Sequence, residues 1–227
     1  MTYPNIAPAV FIERSNRFIA RVEIGGRAET VHVKNTGRCR ELLRPGAEVW
    51  LTAPGTPGRK TVYDLVAVRK ETDALFNIDS QAPNAAAGEW LEAQGFDRVV
   101  PEYRFGDSRI DFYMERNGER YLTEVKGCTL EIGGVGYFPD APTERGAKHL
   151  RELIRAKEEG YRAAIAFVIQ TEGVTEVRPN AATDPAFAEA FAAARQAGVE
   201  ILFLPCRVTP DSLQIRPGIR WPDQPSH

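Results

Sequence analysis

The sequence predicts a mixed α+β protein: a small closed β-barrel over residues 1–82, followed by a layered α/β domain over 83–227. Three observations predict it. The first 80 residues hold five or six short apolar runs punctuated by Gly and Pro, the pattern of a small barrel. A meander with two tight turns spans 99–126. Beyond it, helical patterns alternate with apolar runs of strand length, which is layered α/β organisation.

The barrel strands are Val10–Ile12, Phe18–Ile24, Thr30–Val33, Glu48–Thr52, Val62–Val68 and Ala74–Ile78, with Gly25-Gly26, Pro45-Gly46 and Pro54–Gly58 between them. Gly37–Leu43 reads as a short helix capping the barrel. Pro83-Asn84 marks the boundary. A helix follows over 84–95, with Asn84 as N-cap and Gly95 as the stop. Gly133–Gly136 reads as a mobile loop. A long helix from about Thr143 to Glu159 has an apolar stripe of Leu150, Leu153 and Ile154, and Thr143 or Asp140 can cap it. Ala163–Ile169 is a strand buried on both faces. An alanine-rich helix over Asp184–Ala197 precedes another buried strand at Val199–Leu204, and the Pro-rich tail beyond Arg216 reads as loosely ordered.

The meander carries the chemistry. Asn117-Gly118 between apolar-rich runs is a strong hairpin signal, because both turn residues must accept positive φ. A two-residue turn there places Arg116 opposite Glu119 and therefore Asp111 opposite Glu124, with Lys126 on the same face. Ile110, Phe112 and Met114 with Tyr121, Thr123 and Val125 form the other, core-facing side. A second turn at Gly106-Asp107 places Glu102 opposite Asp111. Three carboxylates, Glu102, Asp111 and Glu124, then form one row across three strands. Facing carboxylates repel, and a divalent cation between them reverses the sign. Oxygen ligands of this type suit Mg²⁺ or Mn²⁺. Asp111, Glu124 and Lys126 form a catalytic-looking set, with Lys126 placed to orient water or neutralise phosphate charge. The competing reading is an exposed cross-strand network in which Arg109, Lys126, Glu115 and Arg120 balance the acids. Glu-x-Lys alone is weak, since such a triplet occurs about once by chance in a chain of this composition.

The bulk numbers are those of an ordinary soluble globular chain, 43% hydrophobic and 26% charged, with no run long enough to span a bilayer. The N-terminus lacks the pattern of a secretory signal. Three scattered cysteines, Cys39, Cys128 and Cys206, read as reduced thiols in a cytoplasmic protein, and none has the context of a nucleophile. The net charge of −2 divides into +3 over residues 1–80 and −5 over the remainder, so cations concentrate in the barrel. Arg17, Arg38 and Arg40 belong to that interval and would approach a phosphate backbone. The alternative is a solvated strand surface. Arg145, Lys148 and His149 on the long helix are further candidates for nucleic-acid contact, against an ordinary basic helix face in water. No Gly-Lys-Ser/Thr follows Gly133–Gly136 at P-loop spacing, and no serine elbow is present.

Taken together, these residues resemble the sugar fermentation stimulation protein A (SfsA) family. The segments that carry the resemblance are Arg17-Phe18, His32–Gly46, Ser108–Phe112, Glu124–Leu130, Phe138–Gly146 with Lys148–Leu150, and Gly198–Glu200. The resemblance implies an N-terminal OB-like barrel and a three-layer α/β/α domain with a mixed sheet, similar to PD-(D/E)xK nucleases. It also implies non-specific DNA binding and a role in regulating sugar metabolism, maltose in particular. Asp111 matches the acidic metal ligand of the nuclease motif and Glu124-Val-Lys126 its E-x-K; Ile110 stands where a proline is usual, and Glu102 matches an additional upstream acid. Two readings follow: a DNA-binding protein with a working Mg²⁺- or Mn²⁺-dependent phosphodiesterase site, and a non-catalytic DNA-binding transcriptional regulator on the same scaffold. Nothing in the sequence suggests a sugar site.

Overall fold

Alternating apolar residues such as Val31 and Val33 bury one face of each N-terminal strand, and that face turns inward. The computed structural model, which describes residues 1–35, 37–55 and 57–222, forms β1 (Ile6–Glu13), β2 (Ile19–Ile24), β3 (Arg27–Val33), β4 (Glu48–Thr52), β5 (Asp64–Arg69) and β6 (Leu75–Asn77). Their order is β3-β2-β1-β4-β5-β6, and parallel pairing of β3 with β5 closes the sheet. Phe11, Leu51, Leu65 and Phe76 fill the interior. Gly37–Leu43 is not the helix expected from the sequence. The N–H groups of Leu42 and Leu43 both donate to the Cys39 carbonyl, and Cys39 has a φ of 45°, a left-handed conformation that stops a helix from propagating. The turn still plugs the barrel, because Cys39 and Leu42 are buried in its core.

The second region comprises α1 (Ala82–Glu92), β7 (Arg98–Phe105), β8 (Ser108–Arg116), β9 (Glu119–Cys128), β10 (Leu130–Ile132), β11 (Val135–Phe138), α2 (Glu144–Glu158), β12 (Arg162–Ile169), β13 (Val177–Pro179), α3 (Pro185–Gln196), β14 (Glu200–Thr209) and β15 (Ser212–Ile215). The main sheet has the order β15-β14-β12-β9-β8-β7, with β12 parallel to both neighbours and the remaining pairs antiparallel. The helix α1 covers one face, and α2 and α3 cover the other. This is a three-layer α/β/α arrangement with a mixed sheet. Thr143 caps α2 by accepting from the Gly146 N–H, and Asp184 caps α3 by accepting from Phe187. No helix among the described residues is long and apolar enough to cross a membrane.

Both turns of the meander have the anticipated register. Phe105 pairs with Ser108, and Arg116 with Glu119, with Asn117 and Gly118 at φ 52° and 79°. Four further expectations need correction. Gly133-Gly134 is the turn of the β10–β11 hairpin, not a free loop, and β13 adds to it in parallel. Asn84 lies inside α1, whose N-cap is Gln81, because its side chain is engaged elsewhere. Ile110 packs on the α2/α3 face while Phe112 and Met114 pack against α1, so alternation breaks at Asp111. The tail stays packed as far as Trp221, which is buried against Trp90, Phe96 and Tyr121. Residues 223–227 of that tail lie outside the described residues.

The barrel is tied to the α/β region by polar contacts. The Gln170 amide donates to Asn77 and Asp79 carbonyls at 3.1 and 3.2 Å, and the Asn77 N–H donates back to the Gln170 carbonyl at 2.9 Å. Lys70 pairs with Glu131 of β10 at 2.6 Å. Asn35 donates to the Ile78 carbonyl at 2.8 Å, which fixes the segment after β3 against this junction.

Candidate metal centre and nucleic-acid interface

The site forms where the meander stops being regular. Asp111 is the only residue of β8 that pairs in neither ladder. Its carboxylate instead accepts from the Val125 N–H through Oδ2 and from the Asn84 amide through Oδ1, both at 2.8 Å. The side chain thus replaces a rung of the sheet, and α1 helps to aim it. Glu124, one residue before Val125 on β9, is buried, and its Oε1 is contacted by both Lys126 Nζ and His149 Nδ1. Glu124 Oε2 is buried with no hydrogen-bond partner. Asp111, Glu124 and Lys126 line one cleft of about 370 Å³, together with Asn35 and Gly37 of the barrel and Asp140 and Arg145 of the α/β region.

The electrostatics separate the two acids. Burial pushes Asp111 above its ordinary carboxylate range, and the neighbouring charge of Glu124 adds to the shift; Lys126 and the two hydrogen bonds oppose it. Burial pushes Glu124 up as well, but Lys126 and His149 outweigh it and hold Glu124 below its ordinary value. Arg145 Nε donates to His149 Nε2 at 3.3 Å, which leaves Nδ1 as the nitrogen that carries its proton toward Glu124. Arg145, His149 and Glu124 therefore form a hydrogen-bonded chain from the cleft wall to the floor.

The other sequence-derived candidates divide. Glu102 stands between the pairs Pro101–Phe112 and Tyr103–Ile110 but is exposed, has a φ of 56°, and pairs with Arg109 at 2.7 Å. This local kink breaks the Glu102–Asp111 pairing expected from the register, although both residues line a second pocket with Pro101 and Phe112. His149, expected at the surface, is instead buried on Glu124. Lys148 is exposed on α2 outside the cleft lining, whereas Arg145 lines it. Arg17, Arg38 and Arg40 are exposed on the barrel. Burial pushes the Asp140 carboxyl above its ordinary range, and Arg38 and Arg14 oppose the shift. All three cysteines are free and buried, and burial pushes each thiol up to about 12, which rules them out as ready nucleophiles.

The family model described as "Sugar fermentation stimulation protein RE domain" matches residues 81–212, and "SfsA N-terminal OB domain" matches residues 12–78. The chain belongs to the SfsA family. The sugar fermentation stimulation protein homolog of Desulfitobacterium hafniense is 50% identical over 217 residues, covering 94% of this chain and 95% of that one. The homolog from Ruminiclostridium cellulolyticum is 46% identical over 219 residues, covering 95% and 96%. Among solved structures, that of Pyrococcus furiosus SfsA in complex with Ca²⁺ superposes with a TM-score of 0.84 at 31% identity, covering 95% of each chain. In this SfsA-family chain the closed N-terminal sheet is thus the OB domain, and the six-stranded mixed sheet belongs to the RE domain.

Two site features escaped the sequence reading of the SfsA chain. Asn84 reads in the sequence as a helix cap, and only the tertiary fold brings it to Asp111. The partnership of His149 with Glu124 also depends on the packing of α2 against β9, although the spacing of Gly146, His149, Leu150 and Leu153 already places His149 on the buried stripe.

Proposed function

We propose that this SfsA-family chain is a DNA-binding, metal-dependent phosphodiesterase of the PD-(D/E)xK type. The observation that carries the reading is the unpartnered, buried Oε2 of Glu124, in a cleft shared with Asp111 and Lys126. A buried carboxylate oxygen without a donor is costly unless a cation or ordered water meets it. The donor set is oxygen only, which suits a hard cation such as Mg²⁺ or Mn²⁺. Among the described residues no third His, Cys, Asp or Glu completes a three-ligand cluster. That favours a cation that keeps several of its waters, as Mg²⁺ does. The Pyrococcus furiosus relative, whose structure is of a Ca²⁺ complex, supports a divalent cation here too.

When bound, the cation would polarise the phosphodiester and make hydroxide available near neutral pH. The chain's own groups do the rest. Asn84 and the Val125 N–H fix the Asp111 carboxylate, while His149 and Lys126 fix that of Glu124. The Lys126 ammonium lies in the cleft against Glu124, placed to orient an attacking water and offset charge on the phosphate. Arg145, at the cleft wall near the start of α2, supplies a second cation for the strand. Exposed Arg17, Arg38 and Arg40 extend the positive surface across the barrel, giving non-specific backbone contact. A role in regulating sugar metabolism, maltose included, would rest on this engagement with DNA in a cytoplasmic protein.

The test is cleavage of labelled single-stranded, duplex and branched DNA with Mg²⁺ or Mn²⁺, comparing wild type with Asp111→Ala and Lys126→Ala. Metal-dependent cleavage should fall by about 100-fold or more in each variant. Salt-sensitive binding without cleavage, unaffected by either substitution, would leave a non-catalytic DNA-binding regulator on a nuclease-like scaffold.

A further inference from the structure

The corner at Arg17-Phe18, between β1 and β2, has a construction that the catalytic site does not require. The Arg14 side chain donates four hydrogen bonds to backbone carbonyls: to Gly37 and Arg38 at 2.8 Å each, to Arg17 at 2.7 Å and to Asn35 at 2.6 Å. One rigid guanidinium fork thus staples two loops together. The Phe18 backbone is pinned further, its N–H donating to Asn16 Oδ1 at 2.9 Å and its carbonyl accepting from Val33 at 2.8 Å. On this fixed backbone the Phe18 ring is 50% exposed. A single exposed apolar side chain is unremarkable, but this one is an aromatic ring on a pinned backbone, next in sequence to the exposed Arg17. Arg21 and Arg44, from the same basic interval, are paired with Glu13 and Glu71. Arg17, Arg38 and Arg40 are exposed and make no ion pair among the described residues.

The second stapled loop leads straight to the cleft. Asn35 and Gly37 line it, and a Cβ on Gly37 would overlap the Asp140 carboxylate, so the backbone approaches the cleft wall as closely as glycine permits. Arg14 therefore holds the backbone at Arg17, next to Phe18, beside Asn35, Gly37 and Arg38, and Asn35 and Gly37 line the cleft.

We infer that Phe18 is a stacking site for an unpaired nucleobase of a DNA strand that leaves the catalytic cleft across Arg38 and Arg17. This rests on the nucleic-acid reading above and narrows it to substrates with a single-stranded segment. The chemistry selects that class. Phosphates are met by arginines, and a flat ring offers a base-sized face to any unstacked base irrespective of sequence. In a duplex the base faces are already stacked and unavailable to it.

Fluorescence anisotropy on the full chain in EDTA, which excludes cleavage, tests it. The probes are labelled oligothymidylate of about 12 nucleotides, within the span of one barrel's binding site, and a duplex of equal length. Phe18→Ala should weaken single-strand binding about fivefold to 100-fold and leave duplex binding within about twofold. Phe18→Trp should retain single-strand affinity, and its added tryptophan emission should be quenched by oligothymidylate. Equal losses on both probes would make Phe18 a loop-positioning residue and overturn the stacking site, as would no loss on either. Wild type that binds neither probe would sink the nucleic-acid reading together with this inference. Metal-dependent cleavage that is lost in Asp111→Ala but indifferent to Phe18 would sink the inference alone.

Discussion

Asp111 and Glu124 stand in opposite electrostatic positions within one cleft, and that contrast sets the pH behaviour of the site. The folded-state pKa of Asp111 is raised above 3.8 by burial and by Glu124. Its contribution to the stability of the metal-free protein is therefore full below 3.8 and is lost as pH rises through the raised value. Glu124, lowered from 4.5 by Lys126 and His149 against burial, contributes stability above 4.5 that is lost as pH falls through its lowered value. A bound cation needs Asp111 ionised. The rise in thermal midpoint on adding Mg²⁺ should thus shrink as pH is lowered toward the raised pKa of Asp111; an increment that stays flat through the acidic range would rule out Asp111 as a ligand. His149 gives a second check. His149→Ala should lower metal affinity about 10-fold to 100-fold, since it removes the group orienting a ligand. His149→Asn should recover much of it, because its amide N–H replaces the Nδ1 proton; equal defects in both variants would count against the orienting role. Both sequence readings of His149, a nucleic-acid contact or a basic face in water, put it at the surface, and neither its burial nor its partner follows from them. Glu124 reaches it only because α2 crosses β9, a relation between elements far apart in the chain.

Elements with strong local chemistry were legible and short ones were not. Asn117-Gly118 fixes the β8–β9 register through its turn geometry, so facing positions follow by arithmetic. Thr143 and Asp184 announce their helices by capping them. The strands β10, β11 and β13 have only three or four residues each, too few for alternation to register against background. The kink at Glu102 and the lost pairing at Asp111 are likewise invisible in a two-residue period, and they separate an acidic row of three from an acidic pair. The C-terminal tail reads as loose because of its prolines, yet the Trp90 indole donates to the Ile219 carbonyl at 3.0 Å and the Trp221 N–H donates to Gln94 at 3.0 Å. Trp221→Ala should cost about 3–5 kcal/mol, read as a lower urea midpoint at unchanged slope. A midpoint that does not move would mean that the tail is dispensable to the core.

At the scale of the molecule, the cleft belongs to neither domain alone. Asn35 and Gly37 come from the barrel, Asp111, Glu124 and Lys126 from the meander, and Gln170 stitches the two regions beside them. Replacing Gln170 by alanine should lower stability by about 1–3 kcal/mol, because buried carbonyls lose their donor. It should also lower catalytic turnover, though the residue is not assigned to the chemistry; turnover unchanged at lowered stability would make the junction purely structural. Binding to DNA should weaken linearly on a log–log salt plot, with Arg17→Ala and Arg38→Ala each reducing the slope by about 1; slopes equal to that of wild type would remove both from the phosphate path. The glycine at 37 has an evolutionary corollary. Because its bare backbone abuts Asp140 and Arg14 anchors the same loop, the barrel is not an interchangeable module. Another OB barrel grafted onto this α/β half would leave one side of the cleft missing, so the two halves are constrained to diversify as a matched pair and not by domain shuffling.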